Sequence, residues 1–78
     1  MGNDHPVKTR CWLRFLASKG CTYLRTKSSH DMYKCPNCLQ DIVFRGREKD
    51  VPAMHVRTNL RTMGIPYRES LEWKKENC

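Results

Sequence analysis

The 78-residue chain has no long apolar run. No stretch approaches the roughly 20 residues a helix needs to cross a bilayer, so no membrane-spanning helix is expected. Residues 1–6 hold neither a basic stretch nor an apolar one, which argues against a secretory signal. Gly2 meets half of a myristoylation motif, but Pro6 stands where Ser or Thr is required. Apolar residues are scarce, at 38% with a mean hydropathy of −0.78. A chain this short buries only roughly 60–65% of the surface its unfolded form exposes, which leaves room for one modest core and excludes a second. A single domain over residues 1–78 is therefore expected, with its core at about 6–68 and a terminal helical turn or tail at 69–78. Acidic side chains are also few, 8 against 15 Lys and Arg, for a net charge of +7. Such an excess draws polyanions: nucleic acid, an anionic surface or an acidic protein. The five cysteines are odd in number and irregular in spacing, so reduced thiols and a cytoplasmic location are expected in place of a disulfide framework.

The charge is unevenly placed. Residues 1–68 carry thirteen Lys and Arg against five Asp and Glu, whereas 69–78 carry Glu69, Glu72 and Glu76 against Lys74 and Lys75. The positive field belongs to the body of the domain and not to a tail.

Hydrophobic spacing outlines the elements. Val7, Cys11 and Phe15 recur at four-residue intervals, widened by Trp12 and Leu16, which predicts a helix from Pro6 to Lys19 capped by Asp4 and ended by Gly20. Residues 21–26 and 30–35 are strand-like, joined by a tight turn at Lys27-Ser28-Ser29. Ile42-Val43-Phe44-Arg45 is the clearest strand, and residues 46–50 read as a charged loop. Ala53, Val56, Leu60 and Met63 share one helical face, predicting a second helix over 52–63 ended by Gly64, with Thr58 as an alternative start. Ser70 to Asn77 could add a turn capped by Ser70. The expected fold is α+β, in the order α-β-β-β-α. Its three-stranded antiparallel sheet has two helices on one face and the other face free for a ligand.

The most informative stretch is Arg25-Thr26-Lys27-Ser28-Ser29-His30-Asp31. Arg25 and Lys27 can neutralise a phosphodiester, and Ser28 and Ser29 can donate to its oxygens. The imidazole of His30 can exchange a proton near neutral pH, and RNA cleavage needs the 2′-OH deprotonated or the 5′-oxygen protonated. By spacing alone the same residues also fit an ordinary hairpin with an exposed histidine. His55 likewise fits either an exposed polar helix face or a second contact to RNA or a protein. Lys34 and Arg45 are further candidates for phosphate contact. Trp12 and Trp73 fall near apolar stripes and are assigned to the core, with Tyr33 left open.

Set in order, these segments resemble HicA-type toxins, the small ribonucleases of bacterial toxin–antitoxin pairs. That family runs from a helix ending in Gly, through a strand entering Arg-x-Lys-Gly-Ser-His and then a further strand, to a Val-Pro-x-His segment and a last helix ending in Gly. This chain has Lys19-Gly20-Cys21, Arg25-Thr26-Lys27-Ser28-Ser29-His30, Val51-Pro52-Ala53-Met54-His55 and Leu60-Arg61-Thr62-Met63-Gly64. Ser28 stands where the pattern has glycine. The resemblance spans residues 6–68. It implies a fold like the double-stranded-RNA-binding domain and a metal-independent mRNA endoribonuclease with His30 as its catalytic residue. RNA-binding positions would be Arg25, Lys27, Ser28, Ser29, Lys34, Arg45 and His55, and the protein partner a HicB-like antitoxin. Asp31, next to His30, would favour the imidazolium if its carboxylate met the ring.

Cys35-Pro36-Asn37-Cys38 supports a rival reading, a zinc knuckle in a non-enzymatic nucleic-acid-binding module. Its remaining ligands would have to come from Cys11, Cys21, His30, His55, Cys78 or His5, none at paired ligand spacing. A redox role for the pair is weaker, because no helix N-terminus follows to depress a thiol pKa.

Overall fold

The chain's computed structural model describes residues 5–78, so the expected Asp4 cap lies outside the described residues. The elements run β1 (Val7–Lys8), α1 (Thr9–Ser18), β2 (Thr22–Lys27), β3 (His30–Lys34), β4 (Ile42–Phe44), β5 (Asp50–Val51), α2 (Ala53–Met63) and α3 (Tyr67–Asn77). Strands β2-β3-β4 form an antiparallel three-stranded sheet, and β1 pairs with β5 in a separate two-stranded ladder. The α+β class and the three-stranded sheet are thus present. The order is longer than α-β-β-β-α by one strand pair and one helix.

The first helix starts later than expected. Val7 pairs with Val51 as a strand residue, and both are buried. Thr9 then opens α1 by donating its N–H to Lys49 O at 2.8 Å and its hydroxyl to Glu48 O at 2.5 Å. Residues 46–50 are therefore not simply a charged loop, because their end is tied to the start of α1. From there the expected stripe holds: Cys11, Trp12, Phe15 and Leu16 are buried. Gly20 (φ 79°) and Gly64 (φ 72°) end α1 and α2 in the left-handed region. In each case two backbone N–H groups return to the last turn, Gly20 to Ala17 and Cys21 to Leu16, Gly64 to Arg61 and Ile65 to Leu60.

The core lies between α1 and the inner face of the sheet. Trp12 stacks on Phe15 and meets Phe44 edge-on at 6.2 Å, and Tyr33 stacks on Phe44 at 5.4 Å, which places Tyr33 on the inner face. Val56 and Leu60 of α2 join the same cluster. Beyond the core, α2 runs along the free edge of β4, where Asn59 bonds to both backbone groups of Val43. A covered edge cannot pair with a foreign strand.

The last segment is more ordered than a turn. Pro66, in extended backbone, is followed at once by the helix Tyr67–Asn77, which excludes Ser70 as its cap. Ser70 Oγ instead donates to Tyr67 O. Thr58 likewise lies inside α2 and not at its start. No residue of α3 is buried, and the helix is held by Trp73 edge-on to Phe15 at 5.3 Å, by Lys19–Glu69 at 2.6 Å and by a disulfide, Cys11–Cys78.

The expectation of reduced thiols is overturned. Besides Cys11–Cys78, a second disulfide joins Cys21 to Cys35, and Cys38 is a buried free thiol. Antiparallel pairing of β2 and β3 brings Cys21 and Cys35 to the open end of one hairpin, a proximity that depends on register and not on spacing. No helix among the described residues is long and apolar enough to cross a membrane.

Candidate functional site

The hairpin between β2 and β3 sets the position of His30. Lys27 pairs with His30 across a two-residue loop, Ser28-Ser29, and both serines have positive φ, 52° and 69°. Two left-handed residues are what the twist of a two-residue hairpin demands, and serine enters that region at some cost where glycine would not. The chain therefore forms the tight turn without the glycine of the resemblance. The Ser28 carbonyl lies 3.0 Å from His30 Nδ1. A carbonyl can only accept, so Nδ1 carries the proton in this contact. In the neutral ring, Nε2 is then left with its lone pair available to a substrate hydroxyl.

Strand alternation sorts the neighbours of His30. Thr26, Asp31 and Tyr33 belong to the inner face, while His30, Met32 and Lys34 belong to the open one. Lys27, opposite His30, and Arg25, opposite Met32, share that open face and are exposed. Asp31 is turned away from His30: it accepts from Thr26 Oγ1 at 2.6 Å, which in turn lies 2.6 Å from the Tyr23 hydroxyl. The backbone at Gly46 backs onto the Asp31 carboxylate so closely that a Cβ there would overlap it. The expectation that Asp31 favours the His30 imidazolium is therefore corrected, since alternation puts the two side chains on opposite faces. Burial, with help from the Asp31 carboxylate and Tyr23, pushes the Tyr33 hydroxyl above its ordinary pKa, so it stays protonated at neutral pH.

Of the remaining predicted residues, His55 joins the site. It lines a shallow groove with His30, Val43, Met54, Thr58 and Asn59. Extending the β3–β4 register by one step places Arg45 opposite His30, at the same end of the sheet. Lys34 sits at the other end of β3, roughly 13 Å along the strand from His30, and its Nζ reaches toward Cys38 O at 3.5 Å. The structure does not bring Lys34 into the groove.

Asn59 is the residue that sequence reasoning missed. It is buried, and its side-chain amide donates to Val43 O at 3.1 Å while its carbonyl accepts from Val43 N–H at 3.4 Å. An asparagine thereby imitates a neighbouring strand and fixes α2 against β4. Its signal was present: on the helical wheel it lies at the margin of the apolar face of Val56, Leu60 and Met63, one turn after His55. Asn59→Leu is expected to cost about 1–3 kcal/mol, because it leaves the Val43 N–H and carbonyl without partners. Hydrogen exchange at the Val43 amide checks this; unchanged protection would contradict it.

The zinc-knuckle alternative does not fit this arrangement. Cys35 is bonded to Cys21, so Cys35 and Cys38 are not a pair of thiolates. Among the described residues no group of three or more His, Cys, Asp or Glu side chains is poised around a common point.

No protein-family model, curated protein or solved structure matches the chain.

Proposed function

We propose that the chain is a HicA-like endoribonuclease toxin that binds mRNA on the open face of its sheet and cleaves it with His30. The carrying observation is the hairpin turn: one imidazole with its Nδ1 tied to Ser28 O at 3.0 Å, and Lys27 and Arg25 on the same exposed face. That arrangement offers a proton acceptor beside groups that hold a phosphodiester. The three-stranded sheet with α1 and α2 joined to one core supports reading residues 9–63 as an arrangement like the double-stranded-RNA-binding domain, with β1, β5 and α3 as additions. A HicB-like antitoxin would silence the toxin by covering the open face, and an acidic surface would suit its charge. Action on mRNA would place the protein in the cytoplasm, a reducing compartment that disfavours the Cys11–Cys78 and Cys21–Cys35 bridges. Strands β3 and β4 and helix α2, which build the groove, contain no cysteine, so the groove does not depend directly on either disulfide.

Binding of a single-stranded RNA at increasing salt tests the phosphate contacts. Arg25→Ala and Lys27→Ala should each weaken binding and reduce the slope of log K against log salt by about 0.7, one phosphate contact apiece. A slope unchanged in both variants would contradict their role. Incubated with RNA, the wild-type protein should yield fragments, and intact RNA under saturating protein would overturn the proposal.

A further inference from the structure

We infer that His55 is a second catalytic residue, the general acid that protonates the departing 5′-oxygen while His30 takes the proton of the attacking 2′-hydroxyl. This rests on the RNA-cleavage reading of the site and assigns the substrate class as RNA phosphodiesters with a free 2′-hydroxyl.

The two imidazoles line one groove, and their relative position is built into the fold. His30 and Met32 share the open face of β3, and Met32 pairs with Val43 of β4. Both backbone groups of Val43 are taken by Asn59. His55 precedes Asn59 by four residues on α2, so the two lie one above the other on the helix. The path from one histidine to the other thus runs through a cross-strand pair, two hydrogen bonds and one helical turn, with no flexible loop in it. Both histidines are half-buried, in a groove that Met54 and Val43 also line and that is open to a ligand.

The chemistry calls for two groups. In an in-line displacement the attacking and leaving oxygens lie on opposite sides of phosphorus, and one ring cannot serve both at once. His30, with Nδ1 held by Ser28 O, presents Nε2 as the base. The Asp31 carboxylate is on the other face, and α2 has no acidic residue in its first turn, so among the described residues His55 is the remaining acid–base group of the groove. The proton of the 2′-hydroxyl passes to His30 Nε2. The 2′-oxygen forms a bond to phosphorus as the bond to the 5′-oxygen breaks, and that oxygen takes a proton from the His55 imidazolium. The products are a 2′,3′-cyclic phosphate and a free 5′-hydroxyl. Nothing is oxidised or reduced, and a proton exchanged with solvent resets the two rings.

A leaving group that needs no proton separates this role from mere binding. Cleavage of an RNA dinucleotide is compared with that of its analogue carrying sulfur at the bridging 5′ position, whose thiolate departs unaided. His55→Ala should slow cleavage of the oxygen substrate by about 10²–10⁴-fold and that of the sulfur substrate by under about tenfold, whereas His30→Ala should slow both alike. His55→Gln, which keeps a polar side chain at the site, should behave as His55→Ala does. Equal losses on the two substrates, or no loss on either, would overturn the assignment of His55 while leaving His30 in place. If wild-type protein cleaves neither substrate, the reading beneath it fails as well.

Discussion

His30→Ala is expected to lower RNA cleavage by about 10²–10⁴-fold, the usual contribution of a positioned acid–base group, and to relieve growth inhibition in cells expressing the protein. The fold should survive the change. The ring lies at the first position of β3, next to a turn whose Ser28 and Ser29 are both exposed, and its hydrogen bond is to the Ser28 carbonyl, which water can satisfy in its place. A net hydrogen bond of this kind is worth about 1 kcal/mol. Circular dichroism and thermal unfolding provide the control. A variant with native melting behaviour and no cleavage is the expected result. Full cleavage by a folded His30→Ala protein would remove the histidine from the mechanism.

The second large effect is on stability. Cys11–Cys78 closes a loop across 67 residues and Cys21–Cys35 one across 14. By loop entropy the first is worth about 4 kcal/mol and the second about 3 kcal/mol, whereas a domain of this size has a total stability of roughly 4–12 kcal/mol. Helix α3 has the most to lose. It contributes no buried residue, and its exposed ion pair to Lys19 is of a kind worth at most about 1 kcal/mol. Replacing Cys11 and Cys78 together by serine should lower the melting temperature by roughly 15–30 °C. Adding reductant to the wild-type protein should lower it further than that double substitution does. A melting temperature indifferent to reductant would show that the two bridges constrain nothing that matters.

Much of this architecture was legible in the residues. The buried stripe of α1, the glycines ending α1 and α2, and the three sheet strands to within a residue or so all follow from local chemistry. So does the placement of His30 at the start of a strand after a tight turn. What escaped was set by tertiary pairing. Val51 falls between the charged stretch 46–50 and the second helix, and local patterning gives it no element until Val7 is seen to pair with it. Helix α3 has a weak apolar face, since only Trp73 and Tyr67 pack against the core, and the disulfide holds its far end. The cysteine pairings join positions made close by helix docking and strand register, which no spacing rule encodes. In the site, Lys34 shares the face of His30 but lies at the wrong end of the strand, while His55 reaches the groove only because Asn59 clamps its helix to β4.

The central claim, that His30 draws the proton from a ribose 2′-hydroxyl, is met most directly by a DNA oligonucleotide carrying a single ribonucleotide. Wild-type protein should cut it only at that residue, leaving a 2′,3′-cyclic phosphate, and His30→Ala should leave it intact. Cutting of the all-DNA control at the same rate, or no cutting at the ribonucleotide, would contradict the claim.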